Sequence, residues 1–196
     1  YTMAHPGKKL LFMGGEFAHF IEWKYDDQLD WFLLVYERHA PLQSCVKRLN
    51  HLYRETPALH EVDNSWNGFQ WITDNSVVAF LRTDKRGRAV LCVTNFTPVF
   101  HPIYRIGLPC AGTLCEIFNT DRAEYGGSNQ YNAYELSAQP GEFNGFPFWT
   151  EICVPPLSCV YFTYDKLLPK PAGKREWGTL AASVRRRKGA KNDKRA

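Results

Sequence analysis

The segment from Gly14 to Ala40 holds the densest set of residues able to do chemistry: Glu16, Phe17, His19, Phe20, Glu22, Trp23, Tyr25, Asp26, Asp27, Asp30 and Trp31. Flat rings match the C–H faces of a sugar, and carboxylates accept hydrogen bonds from its hydroxyl rim. A phosphate site needs glycine-rich turns and basic groups instead, so the composition favours carbohydrate. Glu16 follows Gly14-Gly15 and reads as a group that positions a ligand. Trp23 and Trp31 could equally pin the loop to the protein body, and Asp26-Asp27 reads as a solvated turn. Glu16 and Glu22 invite pairing as acid and nucleophile of a retaining glycoside reaction, which needs carboxyls about 5–5.5 Å apart. Nothing within one loop imposes that separation.

Other chemistries find little support. His5, His19, His39, His51, His60 and His101 are scattered, and no serine lies in a nucleophile-elbow context. The six cysteines form no C-x-x-C pair and no zinc spacing. Cys92 and Cys159 lie in apolar, strand-like runs, where a thiol acts as a small hydrophobe. Reduced thiols and a cytoplasmic setting are the expectation, with no metal and no cofactor. No apolar run approaches the ~18 residues of a membrane span. The net charge of +4 is unevenly placed: residues 166–196 carry eleven Lys/Arg against two acids, and residues 1–165 are net acidic. A nucleic-acid footprint on a folded face is therefore not expected.

The elements that must position the loop divide into three regions. In residues 1–59, Lys9-Leu10-Leu11-Phe12-Met13 suits a strand buried on both faces, as in a parallel sheet. After the loop, Leu42, Cys45, Val46, Leu49, Leu52 and Tyr53 recur at helical spacing, and Pro57 ends the helix. One βα unit of this kind needs parallel neighbours. Residues 60–165 change period. Strands are expected at 76–82, 88–96, 104–108, 113–118, 131–136, 149–154 and 158–164, with Phe69-Gln70-Trp71-Ile72 ahead of the first. The polar Thr83–Gly87 connection, with Gly87 free to take positive φ, marks a hairpin. Short strands separated by turns indicate an antiparallel sandwich. Trp66 and Trp71 read as core or interdomain packing. Residues 166–196 have too few apolar side chains for a core and read as a disordered basic tail.

One ordered series of motifs is more specific. Ala4-His5-Pro6-Gly7-Lys8-Lys9-Leu10-Leu11-Phe12-Met13-Gly14-Gly15-Glu16-Phe17 is followed by Glu22-Trp23, Leu29-Asp30-Trp31, Leu33-Leu34, Leu49-Asn50 and Tyr53-Arg54. Asn95-Phe96-Thr97-Pro98, Tyr104-Arg105-Ile106-Gly107, Asn119-Thr120-Asp121, Tyr125-Gly126-Gly127-Ser128-Asn129 and Pro155-Pro156-Leu157-Ser158 continue it. Taken in this order over residues 1–165, they resemble the C-terminal portion of bacterial 1,4-α-glucan (glycogen) branching enzymes of the α-amylase superfamily. Gly15 stands where many members carry Asn, and His19-Phe20-Ile21 has no counterpart we can assign.

The resemblance implies an α+β fragment. Residues 1–59 would be the last βα unit of a (β/α)8 barrel, residues 60–165 an all-β C-terminal sandwich, and 166–196 the tail. It implies an enzyme that cleaves an α-1,4 bond of a glucan and re-forms it as an α-1,6 branch through a covalent glycosyl-carboxylate, without a cofactor. The family's nucleophile, acid and assisting carboxylate follow earlier barrel strands, so no catalytic residue is expected here and the fragment alone should be inactive. Glu16, Trp23, Asp30 and Trp31 would contribute to the substrate-binding wall. The partners implied are α-glucan and the upstream part of the same enzyme. Two alternatives stay open: a sandwich that binds glucan non-catalytically, and a tail that tethers the protein to an anionic partner.

Overall fold

Every residue of one strand, Ala89–Asn95, is buried, so both of its faces must be covered. The computed structural model describes residues 1–63, 66–74 and 76–167, and two layers cover that strand. Among the described residues nine strands form: β1 (Phe69–Asp74), β2 (Val77–Thr83), β3 (Ala89–Asn95), β4 (His101–Leu108), β5 (Gly112–Asn119), β6 (Leu136–Ser137), β7 (Gln139–Phe143), β8 (Phe146–Val154) and β9 (Cys159–Lys166). They make a six-stranded sheet of order β1-β2-β3-β9-β5-β6 and a three-stranded sheet of order β4-β8-β7. Every pairing is antiparallel.

Side chains alternate across the larger sheet, as the pleat requires. Ala79, Leu81, Leu91, Val93, Val160 and Phe162 face the smaller sheet and meet Ile106, Leu108, Ile152 and Val154 there. Their neighbours Phe80, Val90, Cys92, Phe118 and Tyr161 point the other way. That outer face is covered by the helix α1 (His39–Glu55), through Cys45 and Leu52, and by Ala4, Ala58 and Leu59. The helical stripe of the sequence thus packs on the sandwich. Thr56, ahead of Pro57, turns extended and stops the helix. Trp71, on edge strand β1, is partly exposed and meets Phe69 and Phe80 edge-to-face. The Trp66 side chain lies outside the described residues.

Three expectations need correction. Lys9–Met13 forms no strand, because no described segment offers it a ladder partner, and Leu10, Leu11 and Phe12 are exposed. Of 131–136 only Leu136 joins a strand, and β7 was not foreseen. The basic tail starts later than 166, since Lys166 belongs to β9 and Leu167 N–H donates to Ala111 O at 2.8 Å. Residues 168–196 lie outside the described residues.

The β2–β3 hairpin turns on Asp84 and on Gly87 at φ 84°. One Asp84 oxygen accepts the Arg86 and Arg88 N–H groups, both at 2.9 Å, and the other accepts Arg88 Nε–H at 2.6 Å. Burial pushes this carboxyl up, but the Arg88 side chain and the backbone donors outweigh it and hold it below its ordinary value. A carboxyl whose folded value is depressed stabilises fully above its unfolded value, about pH 4. That stabilisation is lost as pH falls through the folded value. Asp84→Asn is therefore expected to be less stable than the parent at pH 7, with the gap narrowing below about pH 4. Urea unfolding at pH 7 and pH 3 checks this, and an equal gap at both would refute it.

Candidate functional site

The loop of chemistry-bearing residues is pinned at the N-terminal end of α1. Gly14 adopts the left-handed conformation at φ 78°. Its carbonyl accepts the Phe17 and His19 N–H groups, both at 3.1 Å, which tightens Gly15–Phe17 into a 3-10 turn. A Cβ at Gly14 would lie 2.7 Å from His19 Cβ and 3.0 Å from the Phe17 ring, so only glycine fits. Phe17 is fully buried, and its carbonyl accepts a hydrogen bond from His39 Nδ1 of α1 at 2.7 Å. Trp31 lies on the Phe17 ring with centroids 4.9 Å apart and opens a second 3-10 turn, Trp31–Val35.

The four residues singled out by sequence occupy three settings. Glu16 is half-buried and lines a cleft of about 740 Å³ between Lys9 and Leu11 on one side and Val46, Asn50 and Tyr53 of α1 on the other. Trp23, Asp30 and Trp31 do not line that cleft, and neither does Glu22, which is exposed. Trp23 is 66% exposed and lies beside Phe12, with centroids 5.5 Å apart. Trp31 is 44% exposed despite its contact with Phe17. Asp30 is sheltered, with Lys24 Nζ at 2.5 Å from one oxygen and His19 Nε2 at 3.1 Å from the other. The Lys24 hydrogen bond holds the Asp30 carboxyl below its ordinary value, and the same contact holds Lys24 above its own.

Lys9 ties the cleft's floor together. Its Nζ donates to the His5 carbonyl and to Gly7 O at 2.7 Å, and it lies 5.4 Å from the centre of the Tyr53 ring. Burial lowers its pKa. Sequence reasoning missed Phe17 and His39 as the loop's anchor and Lys24 as the partner of Asp30. A buried aromatic after the Gly pair was a usable signal for the first, and nothing marked the other two.

Taken together, one loop carries two exposed indoles and a sheltered carboxylate whose oxygens already meet Lys24 and His19. Among the described residues, no group of three or more His, Cys, Asp or Glu could hold a metal ion, and no helix is long and apolar enough to cross a membrane.

Comparison with known proteins agrees with the fold. Residues 71–165 match the family described as the alpha amylase C-terminal all-beta domain. Over 170 residues the chain is 46% identical to the 1,4-alpha-glucan branching enzyme GlgB of Aquifex aeolicus (strain VF5), covering 84% of this chain and 27% of that protein. It is 47% identical over 162 residues to the enzyme of the same name from Pseudomonas fluorescens (strain Pf0-1), covering 81% and 22%. With that of Cupriavidus pinatubonensis (strain JMP 134 / LMG 1197) it shares 48% over 166 residues, covering 82% and 22%. The chain thus spans about a quarter of the length of the curated relatives it matches. By sequence the chain is a counterpart of the C-terminal portion of 1,4-alpha-glucan branching enzymes, and its residues 71–165 match the alpha amylase C-terminal all-beta domain.

Proposed function

We propose that this chain is the closing βα unit and the C-terminal β domain of a glucan branching enzyme. It works only together with the portion of such an enzyme that the match leaves uncovered. The observation that carries this reading is the state of residues 9–36. Among the described residues Lys9–Met13 has no ladder partner, and Leu10, Leu11, Phe12, Phe32 and Val35 are exposed on the same stretch that carries the sugar-matching rings. An apolar segment of this composition is at rest between neighbouring strands, and an exposed apolar surface of this extent marks a contact site. The seven other βα units of a barrel are the contact that fits. Placed there, Gly14 ends the strand at its carboxyl side, the side on which barrel enzymes bind substrate.

The substrate is an α-1,4-glucan. The nucleophile, acid and assisting carboxylate belong to the uncovered portion, and an acceptor 6-hydroxyl takes the place of water in the second step. This chain's own contribution is the loop of Glu16, Trp23, Asp30 and Trp31, which stands at the rim of that reaction and orients a glucan strand. The setting is the cytoplasm.

A chimera tests the reading. The part of the Aquifex aeolicus relative that this chain matches is replaced by this chain, and branching is followed by iodine staining and by counting α-1,6 linkages. The chain alone is expected to leave amylose unchanged, and the chimera to branch it well above the truncated relative. Branching by the chain alone, or a folded chimera no better than the truncation, would overturn it.

A further inference from the structure

We infer that His19 and Lys24 are positioning residues, which clasp both oxygens of Asp30 and so hold Trp23 and Trp31 in place, and that Asp30 binds no glucan hydroxyl itself. This rests on the reading of the loop as a glucan contact and says which of its members touch the sugar.

The geometry of the clasp is specific. Lys24 directly follows Trp23, and Asp30 directly precedes Trp31. The ion pair between them, at 2.5 Å, therefore staples the two ends of the exposed turn 25–28 and fixes the backbone next to each indole. His19 closes the staple from the other side. Its side chain is 1% exposed, its Nδ1–H donates to Ile21 O at 2.8 Å, and its buried Nε2 packs 3.1 Å from the second Asp30 oxygen. Lys24 and Asp30 are themselves mostly covered, 19% and 15% exposed. A pair sheltered to this degree is screened less than a surface pair.

The chemistry of sugar binding explains what the clasp would do. A carboxylate with an ammonium on one oxygen and a buried imidazole against the other has little left to offer a hydroxyl, whereas an indole offers its face whatever its neighbours. Stacking gains less if the ring must first be ordered, because immobilising a side chain costs entropy. Trp31 is already held on Phe17 and Trp23 beside Phe12, and the clasp joins the two.

The test uses the 196-residue chain with Lys24→Met, Lys24→Arg, His19→Ala, Asp30→Asn and the double variant Lys24→Met/Asp30→Asn. Chymotryptic cleavage after Trp23 and Tyr25 reports loop closure, and retardation in a glycogen-containing native gel reports the sugar contact. Lys24→Met, His19→Ala and Asp30→Asn are expected to be cut about tenfold faster, Lys24→Arg at the parent rate, all with the unfolding transition of the sandwich unmoved. The double variant is expected to lose no more retardation than Lys24→Met alone, since partners in one interaction are not additive. A parent cleavage rate in Lys24→Met overturns the clasp, and a further loss in the double variant makes Asp30 a sugar ligand and overturns its positioning role. A parent chain that glycogen does not retard counts against the glucan reading, and the cleavage rates still decide the clasp.

Discussion

Arg82→Met is expected to cost about 3–5 kcal/mol of folding stability, the loss found when one partner of a buried ion pair is removed. Arg82 sits on β2 and is 1% exposed. Its Nη2 donates to Asp63 Oδ1 at 2.8 Å, and its Nη1 donates to the carbonyl of Ala4, itself fully buried. The arginine therefore joins three stretches far apart in sequence: the N-terminal segment, the turn after α1, and the large sheet. Methionine fills much of its volume yet takes a charged donor away from both the Asp63 carboxylate and the Ala4 carbonyl. Lys9 and Tyr53 feel the same Asp63 charge, so the disturbance spreads to the floor of the cleft. Arg82→Lys keeps the charge but not the fork that reaches both partners, and should fall between. Urea unfolding followed by circular dichroism gives the magnitude, and proteolysis within residues 5–20 reports release of the N-terminal segment. A methionine variant within about 1 kcal/mol of the parent, the usual range of a net single hydrogen bond, would contradict the tie.

The parts of this fold that were legible in the sequence are those in which neighbouring residues decide the outcome. Phe80, Cys92 and Tyr161 sit between residues that face the opposite layer, and both layers are apolar, so β2, β3 and β9 show as continuous apolar runs. The α1 stripe and the Gly87 turn were equally local. Residues 131–136 mislead for a physical reason. Their rings and short polar groups resemble a strand, but the Asn132 side chain takes the strand's place beside β8. Its amide donates to Cys153 O at 3.0 Å and its carbonyl accepts Cys153 N–H at 2.8 Å. A side chain that imitates a backbone partner ends the ladder. β7 was invisible because Pro140 and Gly141 are poor strand formers, and only the pairing with β8 makes it a strand.

Two asparagines show how a motif can be conspicuous before its purpose is known. Asn95 closes β3 and is buried. Its amide donates to Val99 O at 2.8 Å and Pro155 O at 2.9 Å, and its carbonyl accepts the Thr97 N–H and hydroxyl. It thereby ties together two of the connections that carry the chain between the sheets, β3 to β4 and β8 to β9. Asn119 ends β5 on the other side of β9 and bonds to Gln130 O and Asp121 N–H. In the candidate site, the Gly pair and the rings announced a loop with a task. The Lys24–Asp30 link did not, because a separation of six residues follows neither helical nor strand periodicity.

Substituting Leu10, Phe32 and Val35 together by serine should have opposite effects in two settings. In the isolated chain Leu10 is 78% exposed, Val35 82% and Phe32 61%. Exposed substitutions usually change stability by less than about 0.5 kcal/mol each, so the sandwich should unfold at nearly the parent urea concentration. The chain should also lose any tendency to self-associate, because three large exposed apolar side chains have been removed. In the chimera with the Aquifex aeolicus portion, the same side chains become interior. Each then forfeits about 1.5–3 kcal/mol of burial, and three such losses rival the whole stability of a domain, about 5–15 kcal/mol. Loss of branching and of soluble chimera, against an unchanged isolated chain, is the expected pattern. Sedimentation velocity and urea unfolding measure the first arm, and iodine staining of amylose measures the second. Tolerance of the triple substitution in both settings would mean that these side chains face water in the assembled enzyme too. The unpaired Lys9–Met13 segment would then need a covering other than neighbouring strands.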